Sequence, residues 1–228
     1  MTQPSIAPLT ASDLVLCDFD GTISAEDTGL HVAQTLGLTR FFEIEDRWRR
    51  GEISSRECLR EQWRTVDPSR ADFQALIDGL EVNPGFEELV ALTEERGARF
   101  VVLSDGLDHY IQRTLERLGL ERLWYRANHA VLHPHHVELE FVCTTEACEF
   151  CGNCKAHWLF ELRPGSERLI YIGDGISDAC ASRYCDVVFA KDLLAGICEE
   201  RGQAFVPFET LEDVVGVLRE GRENRWTG

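Results

Sequence analysis

Lysine is nearly absent from this sequence: Lys155 and Lys191 are the two among 23 basic residues. No apolar run approaches the ~18 residues a bilayer-spanning helix needs, so no membrane partner is expected. The opening stretch, MTQPSIAPLTAS, has neither a basic start nor an apolar centre, and no secretory signal is read there. A cytoplasmic location is expected from this. Positive charge is also short overall, with 23 Lys and Arg against 40 Asp and Glu and a net charge of −17. That balance excludes a nucleic-acid backbone as a natural partner. The acidic excess is spread along the chain as a solvated surface and is not gathered into a tail. In a reducing compartment the nine cysteines read as thiols or metal ligands and not as a disulfide framework.

Short apolar runs recur at residues 13–19 (DLVLCDF), 99–104 (RFVVLS), 168–173 (RLIYIG) and 186–190 (DVVFA). Helix-like segments follow the last three, at 107–118, 176–184 and 193–201. Buried strands alternating with helices predict an α/β fold, a Rossmann-like parallel sheet flanked by helices. Ligands of such sheets sit beyond the carboxyl ends of the strands. Residues 27–80 contain no strand-like run and read as several helices inserted after the first strand, with Pro84 and Gly85 marking the return. The expected division is a core of residues 1–26 and 81–228 and a helical cap of residues 27–80. Residues 128–142 alternate on either side of His133-Pro134-His135, which predicts a small β-hairpin.

Four places carry chemistry. Asp18 and Asp20 close the first strand as Asp-Phe-Asp-Gly-Thr, and alternate residues of an extended chain face the same way. Two close carboxylates repel unless a cation or shared proton separates them; a hard ion such as Mg²⁺ suits them. An isolated pair of this kind could equally be an acidic turn. The second strand ends in Ser104-Asp105-Gly106, whose hydroxyl and amides suit a phosphate oxygen at a helix start, although serine is also a common cap. Lys155 opens a further helix; in a chain that otherwise chooses arginine it could mark a need for a compact ammonium. Gly173-Asp174-Gly175-Ile176-Ser177-Asp178 sets two carboxylates four residues apart where a helix is expected.

The order of these four elements resembles the haloacid dehalogenase superfamily of phosphotransferases, and the resemblance runs from about residue 14 to 218. The insertion after the first strand resembles the C1-type helical cap of the subfamily that includes phosphoserine phosphatase. The resemblance implies that Asp18 is a nucleophile forming an aspartyl-phosphate and that Asp20 is the general acid and base. It implies that Ser104, the Gly106 amide and Lys155 hold the phosphoryl oxygens. Mg²⁺ would be held by Asp18, the Asp20 carbonyl and Asp174, with Asp178 behind them. A small phosphorylated metabolite is the expected substrate.

Residues 143–155 (CTTEACEFCGNCK) and 128–133 (NHAVLH) are similar to the hydroxyketo-methylthiopentenyl phosphate phosphatases of methionine salvage, and also to phosphoethanolamine/phosphocholine phosphatases. Ser-Asp-Gly departs from the Ser-Gly-Gly usual in the first group. Asp105 could therefore meet a substrate ammonium or simply cap the next helix. Asp27 is a further candidate contact, and Arg56 a cation for a carboxylate if the substrate is phosphoserine. Trp48, Arg49 and Trp63 could line the same side. Cys143, Cys148, Cys151 and Cys154 could bind a structural Zn²⁺ or be reduced packing thiols, while His129, His133, His135 and His136 read as an exposed polar hairpin or as additional ligands. Two readings without turnover stay open: a phosphate-binding module on the same fold, and a zinc-dependent interaction protein.

Overall fold

The computed structural model describes residues 5–143 and 150–222. Its centre is β1 (Asp13–Cys17), five residues that are all buried. Val15 and Cys17 join the apolar cluster on one side of the sheet, while Leu14 and Leu16 join the cluster on the other. The same alternation holds in β2 (Arg99–Leu107) as far as Leu103, and in β5 (Arg168–Gly173) and β6 (Val187–Ala190). A strand packed on both faces needs apolar residues at every position, which is why these segments read as continuous hydrophobic runs.

With β3 (Trp124–Leu132), β4 (Val137–Glu140) and β7 (Val206–Pro207) the sheet has seven strands in the order β4-β3-β2-β1-β5-β6-β7. All neighbours are parallel except β3 and β4, which form the expected hairpin. The chain leaves β1 toward β2 on one side and reaches β5 on the other. The carboxyl end of β1 is therefore a topological switch point, where such sheets bind ligands.

Between β1 and β2 lie α1 (Thr28–Leu36), α2 (Thr39–Arg49), α3 (Ser55–Trp63) and α4 (Phe73–Asp78), and then α5 (Phe86–Arg96) returns the chain to the sheet. The local signals are clear. The Asp27 side chain accepts from Leu30 N to start α1, and Gly37, at φ 70°, ends it. Ser54 and Glu57 form a reciprocal capping box on α3. The remaining helices are α6 (Asp108–Arg117), α7 (Lys155–Leu162), α8 (Asp192–Glu200) and α9 (Leu211–Glu220). Among the described residues no helix is long and apolar enough to cross a membrane.

Two sequence expectations are corrected. Residues 104–106 are not a strand-to-helix turn: β2 continues to Leu107, and its register against β3 shifts between Leu103 and Leu107. Such an irregularity re-aims side chains beside a site. Residues 176–184 are not an α-helix but two short 3₁₀ turns, Ile176–Asp178 and Ser182–Tyr184. The Asp178 carboxylate takes up the Asp174 and Gly175 amides, which tightens the first turn.

At the opposite end of the sheet Arg168 donates to both carboxylate oxygens of Asp13, at 3.0 and 2.5 Å, and to the carbonyls of Ala7 and Pro8. Asp13 is 2% exposed. Removing one partner of a buried pair strands the other charge, at a cost of about 3–5 kcal/mol. Arg168→Ala should therefore lower stability in urea titration by about 3 kcal/mol without changing the site at the other end; a change below 1 kcal/mol would contradict it.

Candidate active site

The first shared element of the site is an ammonium. Lys155 begins α7, and its Nζ lies 2.6 Å from Asp18 Oδ1, 2.6 Å from Asp178 Oδ1 and 3.0 Å from Ser177 Oγ. It is 2% exposed. Asp18 Oδ1 also accepts from Phe19 N at 2.7 Å. Tyr171 OH donates to Asp178 Oδ1 at 2.7 Å. Asp18, Asp174 and Asp178 each bring a carboxylate oxygen within 4.8 Å of the others. Two unit charges at such separations interact by about 4 kcal/mol in surroundings of effective dielectric ~20, so three carboxylates around one ammonium are short of positive charge. Burial and then the Asp178 charge push Asp18 well above the usual carboxylate range. The same two causes push Asp174 up to about 7, against the hydrogen bond from Thr22. Burial alone would lower Lys155, but Asp178 and Asp18 reverse that and hold it protonated.

Asp174 is brought in by two residues of the first motif. Thr22 Oγ1 donates to its Oδ1 at 2.5 Å. Gly21, at φ +80°, leaves room that a Cβ would fill, 2.5 Å from Asp174 Oδ2. The cluster is an all-oxygen donor set with an excess of negative charge, which fits a hard divalent cation such as Mg²⁺.

Asp20 stands apart from that cluster. Its Oδ2 accepts from Tyr110 OH at 2.7 Å and from Ser104 Oγ at 3.3 Å, and its Oδ1 from Thr28 N at 3.2 Å. Gly106 N donates to Ser104 Oγ at 2.9 Å. Gly106 is required here, since a Cβ would sit 1.7 Å from Tyr110 OH and 2.3 Å from Asp20 Oδ2. Above these groups opens a cleft of ≈ 280 Å³, lined by Asp18, Asp20 and Asp174 on the sheet side and by Phe41, Trp48 and Trp63 on the helical side.

Residues 15–183 match the sequence profile of the haloacid dehalogenase-like hydrolases. The chain belongs to that family. Similar curated relatives are two proteins named 2-hydroxy-3-keto-5-methylthiopentenyl-1-phosphate phosphatase. The one from Bacillus pumilus (strain SAFR-032) is 29% identical over 205 residues, 88% of each chain. The one from Bacillus mycoides (strain KBAB4) is 30% identical over 208 residues, 90% of this chain and 95% of its own. Among solved structures, a HAD family hydrolase from Salmonella enterica serovar Typhi aligns with TM-score 0.74 at 18% identity, over 92% of this chain and 72% of that one. A phospho-aspartyl intermediate analogue of phosphoserine phosphatase aligns with TM-score 0.71 at 20% identity, over 90% and 98%. These two share the fold.

Within this hydrolase the residues singled out from sequence fall into three groups. Asp18, Asp20, Asp27, Asp105, Gly106 and Asp174 line the cleft. Ser104, Lys155 and Asp178 are buried at its floor, in hydrogen-bond contact with those lining residues. Arg56 does neither. Its guanidinium donates to the Cys151 carbonyl at 3.2 and 3.1 Å and lies 5.6 Å from the centre of the Phe141 ring. The expectation that it meets a substrate carboxylate is therefore corrected: it fastens α3 to the segment before Lys155.

Asp105 is not a cap for α6, whose N-cap is Leu107 without a side-chain bond; it lines the cleft and also holds a neighbouring turn. Its Oδ1 accepts from Asn153 N, and burial raises its pKa against hydrogen bonds from the Asn153 and Gly152 amides. Asn153 continues the tie: its Nδ2 donates to Ser104 O at 2.8 Å and Arg126 O at 3.0 Å, and its Oδ1 accepts from Trp158 Nε1 at 2.6 Å. Asn128 Nδ2 donates to Asp105 O at 2.7 Å. This network fixes the turn that delivers Lys155. Asp27 is an exposed residue on the cleft lining; the protein atoms crowding its carboxylate and then the Asp20 charge raise its pKa to about 7.

Cys148 lies outside the described residues. Among the described residues, the groups that could hold a metal are the three aspartates and a second set, His133, His136 and Glu138; neither contains Cys143, Cys151 or Cys154. Of the two readings left open for the cysteines, structural zinc thus finds no support among the described residues. Sequence reasoning missed Tyr110, Asn153 and Asn128. Tyr110 falls on the buried face of α6 with Ile111, Thr114 and Leu115 and reads as packing, whereas Asn153, two residues before Lys155, could have been found as its neighbour.

If Asp105 acts by holding that turn, the acceptor oxygen matters and its charge does not. Asp105→Ala should lower hydrolytic turnover by roughly 10–100-fold, as loss of such a supporting partner does, and Asp105→Asn should recover most of it. Equal loss in both variants would contradict this.

Proposed function

We propose that the protein is a Mg²⁺-dependent phosphomonoesterase that transfers the phosphoryl group of a small metabolite to Asp18 and then to water. The observation that carries this reading is the pairing of two differently held carboxylates at the end of β1. Asp18 is fixed by Lys155 and the Phe19 amide, while Asp20 is held separately by Tyr110 and Ser104.

Both fixed donors fall on Asp18 Oδ1, which leaves Oδ2 as the attacking oxygen. As the Asp18–phosphorus bond forms, the ester oxygen departs and takes a proton from Asp20. Asp20 then removes a proton from water, whose oxygen attacks phosphorus and releases Asp18. Tyr110 positions Asp20 for both steps. A second carboxylate of this kind has no purpose in a module that only binds phosphate. Lys155 and the Gly106 amide supply positive charge to the phosphoryl oxygens, with Ser104 Oγ exchanging its contact with Asp20 for one with the phosphate. Mg²⁺, held by Asp18 and Asp174 with Asp178 behind them, would neutralise the carboxylate cluster and offset the charge of a phosphate dianion. Positioning and charge stabilisation of this type supply most of the catalysis in phosphoryl transfer.

Residues 27–80 are read as a cap over the site, and the cleft wall they contribute bears on the leaving group. Arg49, the guanidinium that lines it, pairs with Glu45 at 3.0 Å, and Arg56 is engaged elsewhere. A carboxylate-bearing leaving group such as that of phosphoserine would thus find no uncommitted cation among the lining residues. Leu30, Phe41, Trp48, Leu59 and Trp63 offer apolar and aromatic surface, which suits a thioether. Together with the names of the relatives, this favours 2-hydroxy-3-keto-5-methylthiopentenyl-1-phosphate. The alternative is an ammonium-bearing leaving group, phosphoethanolamine or phosphocholine, and Asp27 at the mouth is the feature that favours it.

Phosphate release from a panel containing these compounds and phosphoserine, with Mg²⁺ present, tests the substrate. The methylthiopentenyl phosphate should give the highest kcat/KM, and a preference for phosphoserine would contradict the reading. Asp18→Asn should abolish turnover. It should also keep or raise the melting temperature, because it removes one charge from a crowded cluster, whereas Lys155→Met should lower it. Dialysis against EDTA should abolish turnover, with recovery on adding Mg²⁺.

A further inference from the structure

The second group of metal donors lies away from the cleft, at the tip of the β3–β4 hairpin. Leu132 pairs with Val137 as the last rung of the ladder, and His133 N donates to His136 O at 2.9 Å. The tip is therefore a four-residue turn, His133-Pro134-His135-His136, in which proline fixes its own φ. The next rung pairs Val131 with Glu138. Register and turn together bring His133, His136 and Glu138 to one point, where one donor atom from each lies within 4.8 Å of the others.

The details go beyond proximity. The His133 and His136 rings stack with centroids 4.5 Å apart and planes 12° apart, so one of them turns about its side-chain bonds for both to present a ring nitrogen to one ion. His133 Nε2 lies 3.3 Å from Glu138 Oε2, yet it is shut off from water and makes no hydrogen bond. The two atoms face each other at ion-pair distance with a geometry that a shared proton does not satisfy. Zinc bonds to histidine and carboxylate are about 2.0–2.2 Å, so two donors at tetrahedral angles stand roughly 3.3–3.5 Å apart. His133 and Glu138 already hold that spacing.

We propose that His133, His136 and Glu138 form a binding site for a transition-metal ion of the zinc class. Two imidazoles and one carboxylate match that ion, as the three aspartates around Lys155 match a hard one. Three protein ligands leave a fourth position for water. His135, in the same turn, reaches Asp67 of the loop between α3 and α4, 3.4 Å from Nδ1 to Oδ2. An ion at the tip would therefore stiffen the turn that touches the helical insertion. The site stands independently of the reading of Asp18.

Zinc binding to EDTA-treated protein, measured by calorimetry in excess Mg²⁺ and by the rise in melting temperature, tests this. The parent should take up zinc and be stabilised by it. His133→Ala/His136→Ala, at a surface turn, should keep the far-UV circular dichroism of the parent and lose affinity by at least the roughly 10–100-fold that loss of an outer partner costs. The Co²⁺ form should show ligand-field bands without thiolate-to-cobalt charge transfer, which separates this site from the cysteines without altering buried thiols. Absence of zinc binding in the parent, equal affinity in the double variant, or a thiolate charge-transfer band that survives in it would overturn the proposal.

Discussion

A single buried ammonium shared by more carboxylates than it can neutralise is the constraint on which the rest of this structure turns. Lys155 touches Asp18 and Asp178 at equal distance, and Asp174 stands within reach of both. Such a cluster is unfavourable on its own, since burial and mutual repulsion raise the affinity of Asp18 and Asp174 for protons. It is tolerable in a site whose working state includes a cation. The parts of the fold around it serve to hold these charges where they are: Thr22 and Gly21 bring in Asp174, Tyr171 and the Asp174 and Gly175 amides hold Asp178, and Asp105 with Asn153 sets the start of α7.

The same constraint accounts for the two halves of the cleft. The sheet side is built from backbone that strand pairing holds in place, at the switch point between β2 and β5. The helical side is built from α1 to α3 and is fastened to the core through Arg56, which grips the Cys151 carbonyl, and through Gly152, where a Cβ would stand 2.8 Å from both Asp105 and Leu59. Cys151 and Gly152 thus sit between α3 and Asp105 of β2.

Much of this was legible in the sequence, and for identifiable reasons. Strands β1, β2, β5 and β6 announce themselves because a strand covered on both faces must be apolar throughout. Asp18, Asp20, Lys155, Asp174 and Asp178 stand out by the order of their motifs along the chain, each at a strand end or helix start; singly, each reads as a turn, a cap or a solvent-facing charge. The hairpin was visible in its alternation. Residues whose roles depend on partners distant in sequence were not visible. Tyr110 meets Asp20 across 90 positions and looks like core packing on its own helix. Arg56 looked like a free cation because nothing local tells where its guanidinium ends, and Asp105 looked like a cap because its acceptors face a turn almost 50 residues away. The short 3₁₀ turn at Ile176–Asp178 was misread as a longer helix because the same acidic residue that begins a helix can also close a turn.

Intact-protein mass spectrometry with peptide mapping tests most directly the proposed passage of a phosphoryl group through Asp18. The Asp20→Asn protein, mixed with p-nitrophenyl phosphate and Mg²⁺ and quenched in acid, keeps its nucleophile but lacks the base that activates water. It should carry one phosphoryl group, on the peptide containing Asp18, and that adduct should vanish when Asp18 is also changed to Asn. An adduct on another residue, or one that persists without Asp18, would contradict the account.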